Sequence, residues 1–436
     1  MSSIVFYGGY VLGQIPNNLA LQKLPPRIYF PSCMVAWGLL TLGTGFTHHP
    51  WQIMVIRFFQ AIFESSTFVG CHYILGSWYK ENELGKRTAI FTSSGLAGTM
   101  FSGFLQGGIH RGLGKATLPF LCLHWTRCDI ILRSTNLFPD GVRGLPGWRW
   151  LFIIDFCITI PVAVYGYFAF PDTPGTTQAW WLTEEERQLA VSRLPEVEKH
   201  RGVLGWSLVS RVLRSWHWIG FVLLWVFASN TEMFSTNAIM NLWLSSTGDY
   251  SIEQVNYIPT GVAGVGIAVT LFFGWYSDFT KRFWHVGIAL SCTALISGAI
   301  MLNPPSRAAK FFALFLNGSQ YASQTVLFAW ANSVTRQDDA KRGVILGGMN
   351  TFAIAVYMFW SLLFYSANQG PDWREGSIAM MCMGGALFVT TLAVWYLANR
   401  EKKRLLVDDG ITGISEVSHE EKGKISDGIG SKSIHE

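Results

Sequence analysis

The chain has 436 residues, 50% of them hydrophobic and 14% charged, with a formal net charge of +5. An average soluble domain carries roughly 25% charged residues, so this composition excludes a water-soluble fold of comparable size. The basic residues gather at the ends of apolar blocks and in the tail, which excludes a nucleic-acid-binding face as the source of the positive charge.

A bilayer core about 30 Å thick takes about 20 mostly apolar residues per helix. In chain order the apolar blocks predict about eleven spans, at 3–21, 28–46, 51–75, 89–109, 150–170, 216–239, 258–276, 285–302, 311–332, 344–365 and 377–398. Lysine and arginine in the connecting segments set the orientation. One side holds 23 of them, including those of the 171–215 segment and the tail; the other holds 9, and Arg57 lies inside a span. The tail and the 171–215 segment are therefore expected on the cytoplasmic side and Met1 on the opposite side. No charged leader precedes the first block, so no cleavable signal is expected.

The 171–215 segment divides the chain. It opens on the breaker run Pro171-Asp172-Thr173-Pro174, and Thr183 with Glu186 makes a capping-box pattern ahead of a polar helix. The expected organisation is an N-terminal bundle over 1–170, a cytoplasmic linker with a short helix over 171–215, a C-terminal bundle over 216–398 and a disordered tail over 399–436. A repeat supports duplicated halves. Glu83, Lys86 and Arg87 precede one span at the spacing with which Asp338, Lys341 and Arg342 precede another. Gly13, which opens a segment reaching Lys23 and Arg27, has a counterpart in a comparable place later in Gly274, Asp278, Lys281 and Arg282.

Charges within spans are costly, by roughly 2.5–3.5 kcal/mol each at mid-membrane, and tend to face a cavity or a partner. Arg57 and Glu64 are seven residues apart and so share one helix face. One reading makes Arg57 a bidentate anchor for a substrate carboxylate and Glu64 the proton-coupling group; the other makes them an internal ion pair that fixes packing. Glu232, Asn237 and Asn241 form a polar stripe that fits a cavity wall or hydrogen bonding between helices. Asn317, Gln320 and Asn350, with Tyr321, Gln324 and Asn332, are candidates for the opposite wall. Glu83, Arg87, Asp278, Arg282, Asp338 and Arg342 are candidates for a cytoplasmic gate, in which oppositely charged helix ends latch one conformation. The seven cysteines are scattered, and no disulfide framework is expected. Cys122, His124 and Cys128 lack a fourth ligand, so no metal site is expected. With no phosphate-binding loop and no nucleophile–base constellation, the chain reads as neither an ATP-driven pump nor an enzyme, and no cofactor is expected.

Several stretches carry a family resemblance. They are Arg57-Phe-Phe-Gln-Ala-Ile-Phe-Glu64, Ser77-Trp-Tyr-Lys-Glu-Asn-Glu-Leu-Gly-Lys-Arg87 and Gly147-Trp-Arg-Trp-Leu-Phe-Ile-Ile-Asp155. To these are added Pro171-Asp-Thr-Pro174, Trp181-Leu-Thr-Glu-Glu-Glu186, Asn241-Leu-Trp and Tyr250-Ser-Ile-Glu-Gln-Val-Asn-Tyr-Ile-Pro-Thr260. Together they resemble the fungal anion:cation symporters (the allantoate permease family) of the major facilitator superfamily, nearest in pattern to its pantothenate transporters. The resemblance implies an all-α membrane protein with two six-helix bundles. It also implies a monomer in the plasma membrane that imports a small organic anion with protons. Pantothenate is the first candidate substrate, with biotin, nicotinate and allantoate as alternatives; a non-transporting nutrient sensor is the alternative of another class. Two departures are expected to matter. The family's first helix has no counterpart here, which accounts for eleven spans instead of twelve. Residues 114–139 look foreign to the family and read as a translated, unspliced intron. Gly114-Lys115-Ala116 can be encoded with a donor-like GTAAG and Ser134-Thr-Asn-Leu137 with a branch-like ACTAAC.

Overall fold

In a bilayer the backbone has no water to bond, so spanning segments satisfy their polar groups internally as helices. In the computed structural model, which describes residues 2–110, 147–193, 206–235, 237–335, 338–365 and 372–429, every predicted span coincides with a helix or a pair of helices. The N-terminal set is α1 (Ser2–Lys23), α2 (Pro26–Thr44), α3 (Pro50–Trp78), α4 (Glu81–His110) and α5 (Gly147–Ala169). Two short helices follow, α6 (Glu184–Ser192) and α7 (Trp206–Leu213). The C-terminal set is α8 (Trp216–Thr231), α9 (Asn237–Thr247), α10 (Ile252–Tyr257), α11 (Thr260–Thr280), α12 (Phe283–Leu302), α13 (Arg307–Asn317), α14 (Ala322–Val334), α15 (Asp339–Phe364) and α16 (Arg374–Ile429). Among the described residues α3, α5, α11, α12, α15 and α16 are each long and apolar enough to cross a membrane unaided. Only 6% of the apolar stretch of α5 is buried within the protein, so most of that surface is left for lipid. The segment 114–139, with Cys122, His124 and Cys128, lies outside the described residues.

Two of the predicted spans are broken. The block at 216–239 is α8, a 3-10 turn at Glu232–Ser235 and α9; the block at 311–332 is α13, a 3-10 turn at Gly318–Tyr321 and α14. The first break follows residues whose side chains turn back onto their own helix. Asn230 Nδ2 donates to the Val226 carbonyl at 2.7 Å and Thr231 Oγ1 to that of Ala228 at 2.7 Å, a pairing that weakens the regular ladder. The tail also departs from expectation: α16 continues beyond 398 to Ile429. Glu401, Lys402, Lys403 and Arg404 are strong helix formers and prolong the ladder of the apolar segment.

The linker begins as a clasp. Asp172 Oδ1 accepts from the Arg27 N–H at 2.9 Å, and its carbonyl accepts from Trp78 Nε1 at 2.8 Å. These bonds tie the basic ends of α2 and α3 to the residues that follow α5. The capping box forms as predicted: Thr183 Oγ1 accepts from Glu186 N–H at 3.2 Å, and Glu186 Oε2 accepts from Thr183 N–H at 2.9 Å. The Thr183 N–H, aided by the Thr183 hydroxyl, holds the Glu186 carboxyl below its ordinary range. This contribution to α6 is present at neutral pH and is lost as pH falls through that lowered value.

The two sets meet chiefly along α4 against α11 and α1 against α15. The largest buried apolar cluster among the described residues lies mostly in the C-terminal set, on α8, α12, α14, α15 and α16, with Phe221, Leu224, Phe328 and Met349 among its members, and takes in Val69 of α3 and Leu84 of α4. On α4 and α11 two glycines allow the backbones to touch. A Cβ on Gly274 would stand 2.5 Å from the Ala89 Cβ and 2.9 Å from the Gly85 carbonyl oxygen, whereas one on Gly264 would meet nothing within 4 Å. Overpacking costs about 1–3 kcal/mol, and Gly→Ala in a helix interior gains about 1 kcal/mol. Gly274→Val is therefore expected to lower the Tm of the detergent-purified protein, and Gly264→Ala to leave it unchanged or raise it, in thermal-shift measurements.

Candidate functional site

Between the two sets lies a cavity of about 540 Å3. Its wall is aromatic and polar: α1 supplies Tyr7 and Tyr10, α3 supplies Glu64 and Thr67, and α8 supplies Trp225 and Ser229. Glu232 and Tyr321 come from the two helix breaks, Gln324 from α14, and Asn350 and Tyr357 from α15. Phenol, amide and hydroxyl groups with broad aromatic faces suit a small molecule that has an apolar body and several hydrogen-bonding groups.

The breaks create this wall. Asn317 and Gln320, both fully buried, are not in it; they stitch the broken helices together behind it. Asn317 Nδ2 donates to the Thr231 carbonyl at 3.2 Å, and the Thr231 hydroxyl proton is shared between the Ala228 carbonyl and Gln320 Oε1, the latter at 2.8 Å. Gln320 Nε2 reaches α12, donating to Leu290 O at 3.0 Å and Thr293 Oγ1 at 2.8 Å. The Tyr321 hydroxyl donates to the Ser235 carbonyl at 3.1 Å. Carbonyls and hydroxyls freed by the two breaks thus find partners, as a membrane interior requires. Glu232 sits on the seam, 8% exposed. Its Oε1 accepts from Ser323 Oγ at 3.0 Å and its Oε2 from Gln324 Nε2 at 3.4 Å. Both donors belong to the first turn of α14, whose N-terminus is the positive end of that helix dipole.

The structure places Glu64 in the wall but not Arg57. Two helical turns carry Arg57 about 10 Å along α3 from Glu64, where it is half-buried and outside the cavity lining. Among the described residues the two form no ion pair. Asn350 lies in the wall and donates through Nδ2 to Gln14 Oε1 at 2.9 Å, joining α15 to α1. Asn241 is on α9 outside the wall; the Asn237 side chain lies outside the described residues. Asn332 donates to the Phe328 carbonyl at 3.0 Å, farther toward the basic end.

Toward that basic end the cavity is floored by Phe68 and Phe91. Beneath them His72 packs between Phe68 and Phe328, ring centroids 4.5 Å and 4.7 Å away. Phe68 and Phe328 also meet edge to face at 5.1 Å across the two sets. The Thr325 hydroxyl donates to Thr92 Oγ1 at 3.0 Å at the same junction. This plug of aromatics, and most of the tyrosine wall, had no sequence signal, since aromatic residues in spans are ordinary lipid-facing or core residues as well.

Beyond the plug come the gate candidates, and they do not pair as expected. Asp278 takes backbone N–H groups in place of a basic side chain: Oδ1 accepts from Gly85 and Oδ2 from Lys86, both at 2.8 Å. The two glycines make this possible, because they bring the start of α4 within reach of the end of α11. Glu83 pairs with Arg193 of the linker, and Arg87 lies over the Tyr79 ring at 5.0 Å within its own half. Asp338 accepts from Lys341 N–H at 2.9 Å, with Arg211 Nη2 3.9 Å away. Buried Arg342 crosses between the sets and stands over the Tyr73 ring at 5.2 Å. Arg282 is exposed after the left-handed turn at Lys281. The contacts between the sets at this end are therefore carboxylate to helix start and cation to ring.

Chemically, the cavity concentrates acid. A cargo carboxylate 5 Å from an ionised Glu64 or Glu232 would be repelled by about 3 kcal/mol per pair at an effective dielectric of 20. An anion therefore fits best when these groups are protonated. No group of described His, Cys, Asp or Glu residues is arranged to hold a metal ion.

Comparisons with known proteins agree with this architecture. The family model of the Major Facilitator Superfamily matches residues 1–353. Pantothenate transporter liz1 of Schizosaccharomyces pombe is 38% identical over 405 residues, covering 92% of this chain and 73% of the relative. Pantothenate transporter FEN2 of Saccharomyces cerevisiae is 39% identical over 423 residues, covering 93% of this chain and 76% of the relative. Among solved structures, the proton:xylose symporter XylE superposes with a TM-score of 0.63 at 12% identity, covering 90% of this chain and 84% of that one. The transporter FucP in its outward conformation gives 0.60 at 14% identity, covering 89% and 87%.

If Asp278 latches the basic end, Asp278→Ala frees two N–H groups from a charged acceptor, each bond worth about 1.5–3 kcal/mol. A cysteine at Thr325, in a background without the native cysteines, should then react with a water-soluble maleimide at least about tenfold faster. An unchanged labelling rate would show that the contact holds nothing shut.

Proposed function

The chain belongs to the major facilitator superfamily, and on that premise we propose that it imports a small organic anion together with protons by alternating access. The observation that carries this reading is the cavity between two bundles, with a carboxyl group contributed by each and an aromatic, hydrogen-bonding wall between them. Pantothenate is the first candidate, in view of the two relatives at 38% and 39% identity. Its carboxylate, amide and hydroxyl groups complement the phenol, amide and hydroxyl groups of the wall.

In the proposed cycle, segments 1–170 and 216–398 rock about the α4–α11 and α1–α15 contacts, joined by 171–215 at the cytoplasmic face. The protein works as a monomer in the plasma membrane, and its basic ends, with the start of the tail, face the cytosol. Glu64 takes a proton from outside and releases it inside. Arg57, two turns from Glu64 along α3, supplies the fixed positive charge that draws the carboxylate toward the cavity. Asp278 against the start of α4 and Arg342 against Tyr73 close the cytoplasmic side, and both contacts break for release.

The test is uptake of radiolabelled pantothenate by yeast lacking its own carrier. The expected result is accumulation that rises as external pH falls, with biotin, nicotinate and allantoate as competitors. No accumulation of any of the four would contradict the transporter reading and favour a sensor on the same fold. Arg57→Ala is expected to raise KM by about 10-fold or more, the equivalent of one charge-assisted hydrogen bond. Glu64→Gln is expected to retain pantothenate exchange but lose accumulation against a gradient.

A further inference from the structure

We propose that Glu232 is a second proton carrier and that each anion crosses with two protons, so that uptake moves net positive charge. This rests on the reading that the cargo is an organic carboxylate. The charge inventory of the cavity carries the argument. Among the described residues its wall holds two carboxyl groups, Glu64 from one bundle and Glu232 from the other, and no lysine, arginine or histidine. The other titratable groups that face them are phenols: Tyr7 and Tyr10 of α1 beside Glu64, and Tyr321 and Tyr357 beside Glu232. Arg57 lies two helical turns from Glu64 along α3, outside the wall. Among the described residues the hydrogen bonds to the Glu232 carboxylate come from the neutral donors Ser323 and Gln324.

A proton on Glu64 alone would leave an ionised Glu232 and an ionised cargo in one desolvated space. Arg57 stands on α3 outside the wall, and in the proposed mode it is engaged by the cargo. Glu232 is suited to both protonation states. Ionised, it accepts from the Ser323 hydroxyl and the Gln324 amide at the positive end of α14. Protonated, it keeps one acceptor oxygen for these donors and offers its own O–H to the anion. Each proton comes from external water, bonds to a carboxyl oxygen and leaves to internal water. The empty carrier returns with two ionised carboxylates, whereas the loaded carrier holds two neutral carboxyls and one anion. The difference is one positive charge moved inward per turnover. Because Glu232 lies on the seam between the broken helices, its protonation is read directly by the α8–α14 contact.

The experiment uses the full chain in proteoliposomes with radiolabelled pantothenate. The proton:anion ratio is obtained from the membrane potential that just balances a known pantothenate and pH gradient. The expected ratio is two for the wild-type protein, with uptake driven by an inside-negative potential. For Glu232→Gln the expected ratio is one, with uptake indifferent to potential. Pantothenate counterflow by Glu232→Gln verifies that the variant is folded; if counterflow is absent, the wild-type ratio decides alone. A wild-type ratio of one, or a ratio of two that survives Glu232→Gln, overturns the proposal while leaving the transporter reading intact. Wild-type protein that moves no pantothenate, biotin, nicotinate or allantoate overturns that reading, and this proposal with it.

Discussion

A buried backbone group in a bilayer must find its partner within the protein, and the site depends on how this chain meets that demand at two broken helices. A break at Glu232–Ser235 and another at Gly318–Tyr321 face each other. Asn317, Gln320, Thr231 and Tyr321 knit them together. The same breaks turn Glu232 and Tyr321 into the cavity. Without that stitching the freed carbonyls would cost several kcal/mol each in hydrocarbon, and regular helices would be the stable alternative. Regular helices would carry these side chains around a different face. Discontinuous helices at the repeat interface are a recurrent way of building a transport site.

The second constraint is charge. Acid on both sides of one cavity is tolerable while the groups are hydrogen-bonded, wet or protonated, and it becomes costly when a further anion enters. In the proposed cycle that cost would make binding depend on the protonation state of the protein as well as on the shape of the cargo. On the basic side the contacts between the sets are of another kind. Asp278 meets the start of a helix, Arg342 meets a ring, and Phe68, His72 and Phe328 pack ring on ring. Interactions of this sort are short-ranged and are lost within a few ångströms of separation. Such contacts suit a junction that is either closed or open.

Much of the fold was legible in the sequence because its signal is long: apolar blocks of bilayer length, a breaker run before a capping box, and basic residues on one side. The breaks were not, because Glu232, Asn237 and Asn241 read equally well as a polar stripe on an intact helix. Arg57 and Glu64 share a helix face, as their spacing requires, yet only Glu64 reaches the cavity, since two turns of rise separate them. Asn317 and Gln320 were expected in the wall and lie behind it, because a broken helix needs amides more than a cavity does. The gate residues were foreseen as acid–base pairs. Asp278 instead finds backbone N–H groups, an arrangement that turns on the close approach of Gly85 and Gly274, which composition alone does not reveal.

The central claim is that this acid-walled cavity accepts an anion only together with protons. It is tested most directly by calorimetric titration of pantothenate into the purified protein at alkaline pH, where the unliganded carboxyls are ionised, in two buffers of different ionisation enthalpy. The account predicts binding enthalpies that differ between the buffers in the sense of proton uptake by the protein, and no such difference when Glu64 and Glu232 are both glutamine. Binding by the wild-type protein with the same enthalpy in both buffers would contradict it.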